Sequence, residues 1–489
     1  MSINPLLLTD VYKMGHMEQY KPGITKVYST LVARKDNMYS HCIPFGLQYY
    51  LKKYFNQKIT SDHVEEFLSI RKSVLGKDAP AHIEEKLTKL AKVGYFPLTI
   101  KSVPEGYRVR NKNVILSLTN THKDFYWVPG FVESLLLKVW NTYTVATKSF
   151  ELRCFMEKYA KETCSNNNLV PFQVHDFGYR GCSSEETAAL SGAAHLLSFL
   201  GTDTIPAIKL LKDYYYGKDS IGFSVPASEH SVMCSFGREG EKEAFQHMLK
   251  TYPDGIVSIV SDTYDIYNVL TNIVPQVKND ILSRNGKVVF RPDSGDQIKI
   301  LCGDPRSSEE CEKKGVFQLL KEQFGALTNH KGYMELHPSI GVIYGDGFHR
   351  KKLEDTYALM KTIGWASSNL VVGIGGILLQ NNSRDDMGFS LKATYVEEEG
   401  NGVNIYKDPI TDPGKKSFKG LCRLDELSGG HGFSQSTTDE VSWEEENKGL
   451  LKTMYNFHPT EWEPTINEVT LQDIRNRVSL EVGRYTYTL

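Results

Sequence analysis

The sequence predicts an α/β fold in which parallel strands alternate with helices, either as a (β/α) barrel or as an open doubly wound sheet. Five short apolar runs each end abruptly in polar, charged or glycine residues, and amphipathic helical patterns lie between several of them. The runs cover residues 172–174, 256–260, 288–290, 340–343 and 370–372. We expect a barrel-like domain over residues 169–393 and a flanking α+β domain built from the N- and C-terminal segments.

Residues 287–296, KVVFRPDSGD, show the pattern most clearly. The short apolar run is typical of a strand buried on both faces. Arg291, Asp293 and two more polar side chains follow directly. Because α/β folds collect their chemistry at the carboxyl ends of parallel strands, this junction predicts a functional site. For a single junction, a solvated turn after a core strand is the alternative, but the pattern recurs in all five runs.

The composition is that of an ordinary globular protein. The 489 residues are 40% hydrophobic and 24% charged, and the formal net charge is −2. This charge gives no electrostatic reason to expect nucleic acid or an anionic membrane as a partner. No apolar run approaches the roughly 20 residues of a membrane helix, and the run at 6–8 is too short for the core of a signal peptide. The eight cysteines show no CxxC spacing, which argues against a zinc site or disulfide framework and favours a cytoplasmic protein.

Residues 1–168 are predicted to form the first part of the flanking domain. Its expected elements are a strand at 26–32, a helix at 46–55, a β-meander at 98–118 and a helical region at 131–164. The polar segment SNNN at 165–168 breaks the helical pattern, and we place a domain boundary there.

Residues 169–393 are predicted to be the barrel-like catalytic domain. A helix is expected to begin at Ser183, capped through Glu186, and further amphipathic helices are expected at 239–252, 309–324 and 351–363.

The alternation of helix and strand stops after about residue 394. Strand-like pieces at 403–406 and 452–456 and a helix around 471–478 remain. We expect the segment 394–489 to return to the flanking domain, because neither the N-terminal nor the C-terminal segment alone contains enough apolar residues for a complete hydrophobic core.

The strand ends and loops carry residues suited to a phosphate site. Arginines suit phosphate oxygens, aspartates suit hydroxyls, amides or Mg²⁺, and glycines let backbone N–H groups approach an anion. The residues concerned are Arg180, Arg291, Arg384, Asp176, Asp203, Asp262, Asp293, Asp346, Gly373, Gly375 and Gly376. Together they predict a phosphorylated, hydroxyl-rich substrate. The absence of lysine from the strand ends argues against a Schiff-base aldolase, and neither a Rossmann GxGxxG nor a Walker loop is present.

A larger set of motifs extends along the chain. In chain order they are TDVYKMGH at 9–16, HDFGYRG at 175–181, GTDT at 201–204, SVPASEHS at 224–231, VSDTYDIY at 260–267, RPDSG at 291–295, GDG at 345–347, the loop at 373–380 and KDPITDP at 407–413. Together these motifs resemble those of the nicotinamide phosphoribosyltransferase family, which is one of the type II phosphoribosyltransferases. They span nearly the whole chain, and so many motifs in register are far more specific than any one alone.

The resemblance implies a reaction that joins nicotinamide to phosphoribosyl pyrophosphate and gives nicotinamide mononucleotide and diphosphate. The pyridine nitrogen already carries its lone pair, so the reaction needs no general base. The difficult step is breaking the bond from C1 to diphosphate, through a transition state with oxocarbenium character. Catalysis should therefore consist of holding the ring in line and neutralising the leaving group.

The resemblance also implies roles for individual residues. Phe177 is expected to stack on the pyridine ring, with Tyr12 of a partner subunit on its other face, and Asp203 to accept the carboxamide N–H. Substrate contacts are further implied for Asp10, Ser224 and Ser258, and contacts with a phosphate or a ring substituent are implied for Arg180 and Arg291. Ribose contacts are implied for Asp293 and Asp346, and the 5′-phosphate and ribose site is implied for Gly345, Gly375, Gly376 and Arg384. Lys392, Lys407 and Lys415 match basic positions near the phosphates.

The family further implies ATP as a co-substrate, Mg²⁺ bound with the diphosphate, and a homodimer with shared sites. His230 matches a histidine that ATP phosphorylates, although a single histidine after Glu229 is by itself typical of a structural residue. Asp262 is the residue expected to help anchor Mg²⁺. The lysines between 407 and 419 could equally form a solvated face.

One departure from the family pattern concerns the late glycine loop. It usually reads Gly-Ser-Gly-Gly-Gly, whereas this chain has isoleucine at Ile374 and Ile377. A serine hydroxyl is therefore lost while the backbone donors remain. A nicotinate-using relative and a non-catalytic signalling protein on the same fold are the alternative functions.

Overall fold

The computed structural model describes residues 3–345, 347–427 and 435–488. Its strands are β1 (Ile24–Ala33), β2 (His41–Cys42), β3 (Leu98–Ser102), β4 (Val109–Arg110), β5 (Val114–Asn120), β6 (Val174–Asp176), β7 (Gly201–Thr202), β8 (Asp254–Val260), β9 (Asn285–Arg291), β10 (Ala326–Thr328), β11 (Met334–Leu336), β12 (Ile340–Tyr344), β13 (Leu370–Ile374), β14 (Phe389–Glu398), β15 (Asn401–Asn404), β16 (Leu421–Glu426), β17 (Gln435–Val441), β18 (Lys452–Asn456) and β19 (Thr465–Ile466).

The longer helices are α1 (Ser61–Leu75), α2 (Ala81–Val93), α3 (Val139–Thr163), α4 (Glu185–His195), α5 (Ile205–Tyr215), α6 (Glu241–Thr251), α7 (Val274–Ser283), α8 (Glu310–Phe324), α9 (Arg350–Thr362) and α10 (Leu471–Thr488). Short helical turns near the candidate site are Tyr179–Gly181, His230–Cys234 and Gly376–Leu379. Within the described ranges, no helix combines the length and apolarity needed to cross a membrane.

The chain divides into two compact units. The first unit is made of Met1–Lys148, Leu210–Gly217 and Asn382–Leu489, and the second is made of Ser149–Lys209 and Lys218–Asn381. The boundary between the two units after Lys148 lies within α3, and the boundary after Lys209 lies within α5. The polar segment at 165–168, where the sequence predicts a boundary, lies within the second unit.

The short insertion Leu210–Gly217 is held in the first unit by buried polar contacts. The Gln48 side chain donates to the Tyr214 carbonyl at 2.6 Å, and the Tyr215 hydroxyl donates to Glu105 at 3.3 Å. Burial raises the pKa of Glu105 to about 7.

The first unit contains a seven-stranded antiparallel sheet with the order β15-β14-β1-β5-β3-β18-β19. Strands from the beginning and the end of the chain lie side by side in it, since β1 pairs with both β14 and β5. The pairs β2–β4 and β16–β17 form small separate sheets.

The second unit contains a six-stranded parallel sheet with the order β7-β6-β13-β12-β9-β8. The central strands β12 and β13 have buried residues on both faces, as the continuous apolar runs predict. In β9, Val288 and Phe290 are buried, but Val289 between them is only partly buried. The segment 223–227 makes one isolated parallel bridge to each edge, through Gly201 of β7 and Ser258 of β8. The sheet is therefore curled, and one segment connects its two edges.

All five predicted strands are present, and one is shifted. The strand predicted at 172–174 is β6 at Val174–Asp176, because Val170–Phe172 forms a helical turn that contains Pro171. The predicted cap at Ser183 and Glu186 is wrong by one residue. Ser184 accepts from the Thr187 N–H at the start of α4, whereas Ser183 bonds to Gln380.

Gly286 is the position where the parallel sheet tolerates a side chain least. A Cβ there would lie 1.9 Å from the backbone oxygen of Gly255, its partner in β8. We expect Gly286→Ala to lower the free energy of unfolding by about 1–3 kcal/mol, because β8 and β9 must separate to admit the methyl group. Chemical denaturation measures the change.

Gly341→Ala is the matched control in the neighbouring strand β12. Its Cβ would meet the movable side chain of Lys287 at 3.3 Å and Val289 Cγ2 at 3.5 Å, and no backbone atom is among its three nearest contacts. Equal denaturation midpoints for the two variants would contradict the packing argument.

Candidate functional site

The carboxyl ends of the parallel strands meet at one edge of the second unit's sheet. Parallel pairing places them there because all six strands run in the same direction. The predicted residues found at or just beyond these ends are Phe177, Asp203, Asp262, Arg291, Asp293, Gly345, Gly375 and Gly376. Asp346, which was predicted to contact ribose, lies outside the described residues.

Asp203 follows β7 and accepts two hydrogen bonds on one carboxylate oxygen. His175 Nε2 lies 2.9 Å from Asp203 Oδ1, and the Ser224 hydroxyl donates to the same atom. The backbone N–H of Asp203 donates to the Asp176 carbonyl at 2.9 Å. The Asp203 side chain remains 43% exposed, so the protein holds the carboxylate through Oδ1 while the group stays accessible to a ligand.

The environment of Asp203 favours its ionised form. Burial opposes ionisation, but the hydrogen bonds from His175 and Ser224 and the charge of Arg291 outweigh it and lower the pKa of Asp203. The carboxylate therefore presents a fixed negative charge at the sheet edge.

Phe177 has an imidazole and a guanidinium group as neighbours. Its ring centroid is 4.7 Å from that of His175, with a 42° angle between the planes, and the Arg291 guanidinium lies 5.0 Å from the phenyl centroid. Gly373 makes room for the phenyl ring, since a Cβ at that position would come within 2.4 Å of two ring carbons. The Phe177 N–H donates to the Ile374 carbonyl at 3.0 Å, which fixes the backbone.

Arg291 and Asp293 face each other beside Gly345. Arg291 donates to Asp293 Oδ2 at 3.4 Å, while Arg291 Nε and Asp293 Oδ1 are buried without a protein hydrogen-bond partner in the described part of the chain. A Cβ on Gly345 would lie 2.3 Å from Asp293 Oδ1 and 2.8 Å from Arg291 Nε. Glycine at this position therefore lets these two polar atoms approach the backbone, and both lack the partner that a buried polar atom normally has.

Asp262 fixes the loop after β9. Its Oδ2 accepts from the Asp293 N–H at 2.8 Å and from the Ser294 hydroxyl at 2.6 Å. Its Oδ1 lies 3.5 Å from His230 Nε2. Asp262 is buried at 4% exposure, whereas His230, at the start of the turn His230–Cys234, is 47% exposed.

The glycine loop packs closely against the turn that carries Arg180. A Cβ on Gly181 would lie 2.9 Å from Gly376 Cα. Arg180 itself is exposed. Of the two isoleucines that replace small residues, Ile374 is buried in β13 and Ile377 is exposed on the following turn.

Ser224 and Ser258 have different positions. Ser224 is exposed and bonds to Asp203. Ser258 is buried in β8, and its hydroxyl has no protein partner among the described residues.

Three predicted residues of the first unit line a pocket of about 450 Å³. They are Asp10, Tyr12 and Arg384. Lys13, also in the lining, is buried and forms an ion pair with Glu133 at 2.6 Å. The Tyr12 side chain is 63% exposed.

The three predicted lysines of the first unit do not line this pocket. Lys392 lies 3.5 Å from Glu133, and Lys415 pairs with Asp412 at 2.8 Å. Lys407 is exposed, and its backbone N–H donates to the Ser417 hydroxyl.

His175 contacts both Phe177 and Asp203 but was not among the predicted site residues. Alternation along β6 is the signal that could have found it, because residues 175 and 177 of an extended chain face the same side. Its pairing with Asp203 depends on β6 and β7 being neighbours, which the sequence pattern does not specify.

The chain matches two family models. The Nicotinate phosphoribosyltransferase (NAPRTase) family matches residues 172–455, and the Nicotinamide phosphoribosyltransferase, N-terminal domain, matches residues 4–84.

Several curated relatives are similar over most of their length. A nicotinamide phosphoribosyltransferase of Acinetobacter baylyi is 38% identical over 99% of this chain and 98% of its own. A protein of the same name from Xanthomonas campestris is 37% identical over 86% of this chain and 87% of its own. Another from Mycoplasma pneumoniae is 32% identical over 85% of this chain and 94% of its own.

Solved structures with low sequence identity share the fold. Human nicotinic acid phosphoribosyltransferase superposes with a TM-score of 0.60 at 16% identity, covering 98% of this chain and 94% of that one. The nicotinate-nucleotide pyrophosphorylase of Pyrococcus furiosus gives 0.59 at 13% identity, covering 99% and 96%.

Proposed function

The chain belongs to the nicotinate phosphoribosyltransferase family, and we propose that it is the enzyme that transfers phosphoribosyl from phosphoribosyl pyrophosphate to nicotinamide in NAD salvage. The observation that carries the choice of nicotinamide is the ionised Asp203 beside the Phe177 ring. A carboxylate accepts a hydrogen bond from a carboxamide N–H but repels the carboxylate of nicotinate.

The chemistry requires no general base. The pyridine nitrogen donates its lone pair to C1 of the ribose, the bond from C1 to the diphosphate oxygen breaks, and the electron pair leaves with diphosphate. Positive charge develops on the sugar as this bond breaks. The enzyme's task is therefore to hold the pyridine ring in line and to stabilise the departing anion.

The ring site is proposed at Phe177, Asp203 and Arg291. Phe177 offers a flat face for stacking, worth roughly 0.5–1.5 kcal/mol beyond burial. Asp203 orients the carboxamide. Arg291, which lies over the same phenyl ring, is placed to contact the pyridine substituent or a phosphate.

The phosphoribosyl site is proposed at the neighbouring strand ends. The unsatisfied Nε of Arg291 is a donor for phosphate, and the unsatisfied Oδ1 of Asp293 is an acceptor for a ribose hydroxyl. The further substrate contacts implied by the family are Arg180, Ser224, Ser258, Gly345, Asp346, Gly375 and Gly376.

Mg²⁺ is proposed to bind together with the diphosphate. Asp262 Oδ1 is a buried carboxylate oxygen without a hydrogen-bond donor in the described ranges, and such an oxygen suits this ion. Mg²⁺ held there would neutralise charge on the leaving diphosphate. The described residues contain no group of three His, Cys, Asp or Glu side chains that could hold a metal alone, so the diphosphate would complete the coordination.

A homodimer with shared sites is proposed from the resemblance to the family, and the exposed Tyr12 is accessible for a contact with a partner subunit. In this arrangement Tyr12 of the partner subunit covers the second face of the pyridine ring. Lys392, Lys407 and Lys415 of the same unit are the basic residues proposed to approach the phosphates.

ATP is proposed to phosphorylate His230. The exposed imidazole beside buried Asp262 supports this proposal, because a phosphoryl group there would lie next to the proposed diphosphate site. Nicotinate phosphoribosyl transfer is the alternative function, and the ionised Asp203 disfavours it.

Asp203→Asn should abolish the preference for nicotinamide over nicotinate. The variant removes the repulsive charge and a charge-assisted hydrogen bond, so we expect kcat/KM for nicotinamide to fall about tenfold or more. Steady-state assays with both substrates measure the ratio. Asp219→Asn, which removes the same charge from an exposed position of the second unit, is the control. An unchanged ratio in Asp203→Asn would refute the proposed role.

Shared sites predict complementation between inactive variants. Coexpressed Tyr12→Ala and Phe177→Ala chains should recover part of the activity, because one site of each mixed dimer contains neither change. Coexpressed Phe177→Ala and Arg291→Ala should recover none, since both changes affect the same protomer's contribution. Equal product formation in the two mixtures would show that the sites are not shared.

Phosphorylation of His230 predicts an acid-labile label. After incubation with γ-labelled ATP, the wild type should carry the label and His230→Gln should not. His247→Gln, which removes an exposed histidine from α6, should retain it. A label that persists in His230→Gln would place the modification elsewhere.

A further inference from the structure

His175 connects the two parts of the proposed ring site. Its imidazole contacts the Phe177 ring at a centroid distance of 4.7 Å, and its Nε2 lies 2.9 Å from Asp203 Oδ1. The imidazole is largely buried, with 12% exposure, whereas the carboxylate in front of it is 43% exposed.

The direction of this hydrogen bond follows from the chemistry of the pair. An ionised carboxylate only accepts, so Nε2 of His175 must carry the proton and donate it. Ser224 donates to the same Oδ1 atom, whereas none of the described residues donates a hydrogen bond to Oδ2. One oxygen of Asp203 is therefore occupied by the protein and the other remains available.

We infer that His175 is a positioning residue that fixes the orientation and charge of Asp203, so that Oδ2 receives the carboxamide N–H of the substrate. This inference rests on the proposed function and adds a second determinant to it. His175 does not itself touch the reacting atoms. It acts through Asp203, and it supports Phe177 from the side.

Gly201 provides the space that this arrangement requires. It lies opposite His175 in the pairing of β6 and β7, and a Cβ on it would come within 2.8 Å of His175 Nδ1. The imidazole thus packs directly against the backbone of β7, just before Asp203. A methyl group at this position must displace the ring.

His175 differs from a passive core residue because it donates to Asp203 against the effect of burial. Without its N–H, burial would be offset less, and the carboxylate would retain only Ser224 as a donor on Oδ1. The loss should therefore weaken both the contact with nicotinamide and the repulsion of nicotinate.

The test compares His175→Phe with His175→Gln. Phenylalanine keeps a ring beside Phe177 but removes the donor, so we expect the KM for nicotinamide to rise about tenfold. The preference over nicotinate should fall, while the KM for phosphoribosyl pyrophosphate stays at the wild-type value. Glutamine keeps an N–H donor and should restore most of the preference.

A second measurement keeps the inference independent of folding defects. In ¹³C NMR of labelled aspartate, the pKa of Asp203 should rise in His175→Phe and remain closer to the wild-type value in His175→Gln. Gly201→Ala should act in the same direction as His175→Phe. Gly222→Ala is its control, because its Cβ would meet Thr202 Cγ2 at the same 2.8 Å without approaching His175.

The outcomes separate the inference from the function on which it rests. A wild-type protein that forms no mononucleotide from nicotinamide refutes the proposed function and the inference with it. An active wild type combined with a His175→Phe variant of unchanged nicotinamide KM and unchanged preference overturns the inference alone.

Discussion

Parallel pairing of six strands is the constraint on which the candidate site depends. It brings strand ends that are far apart in sequence to one edge, where the register pairs Val260 with Arg291 and Asp176 with Thr202. Each strand then contributes only one or two polar residues. Since no single strand end forms a site, the chemistry is a property of the sheet order.

The site keeps polar atoms that the fold itself does not satisfy. Arg291 Nε, Asp293 Oδ1 and Asp262 Oδ1 are buried without protein hydrogen bonds in the described ranges, although such groups are normally paired. The glycines at 345 and 373 let the Asp293, Arg291 and Phe177 side chains pack directly against the backbone. The proposed phosphate at Arg291, ribose hydroxyl at Asp293 and Mg²⁺ at Asp262 would supply the missing partners. The unfavourable desolvation of these atoms in the free protein is therefore consistent with preorganisation for a phosphorylated, hydroxyl-rich substrate.

The sequence predicts the strands of the second unit well, because continuous apolar runs report burial on both faces. It does not predict which strands are neighbours, and the contact between His175 and Asp203 requires that β6 and β7 pair. The first strand begins two residues later than predicted, because Val170–Phe172, which includes Pro171, forms a helical turn. The assignment of Leu210–Gly217 to the first unit depends on long-range bonds to Gln48 and Glu105, which leave no local signal.

The proposed choice of substrate depends on a negative charge more than on a hydrogen bond. An asparagine at position 203 could rotate to offer its oxygen to a carboxamide or its NH₂ to a carboxylate, and would therefore accept either ring. An ionised aspartate cannot donate, so it excludes nicotinate by repulsion. Partial burial works against that ionisation, and only the donors on Oδ1 together with Arg291 reverse its effect. Discrimination at this site thus depends on the groups that keep Asp203 ionised, and among them His175 acts without contacting the substrate itself.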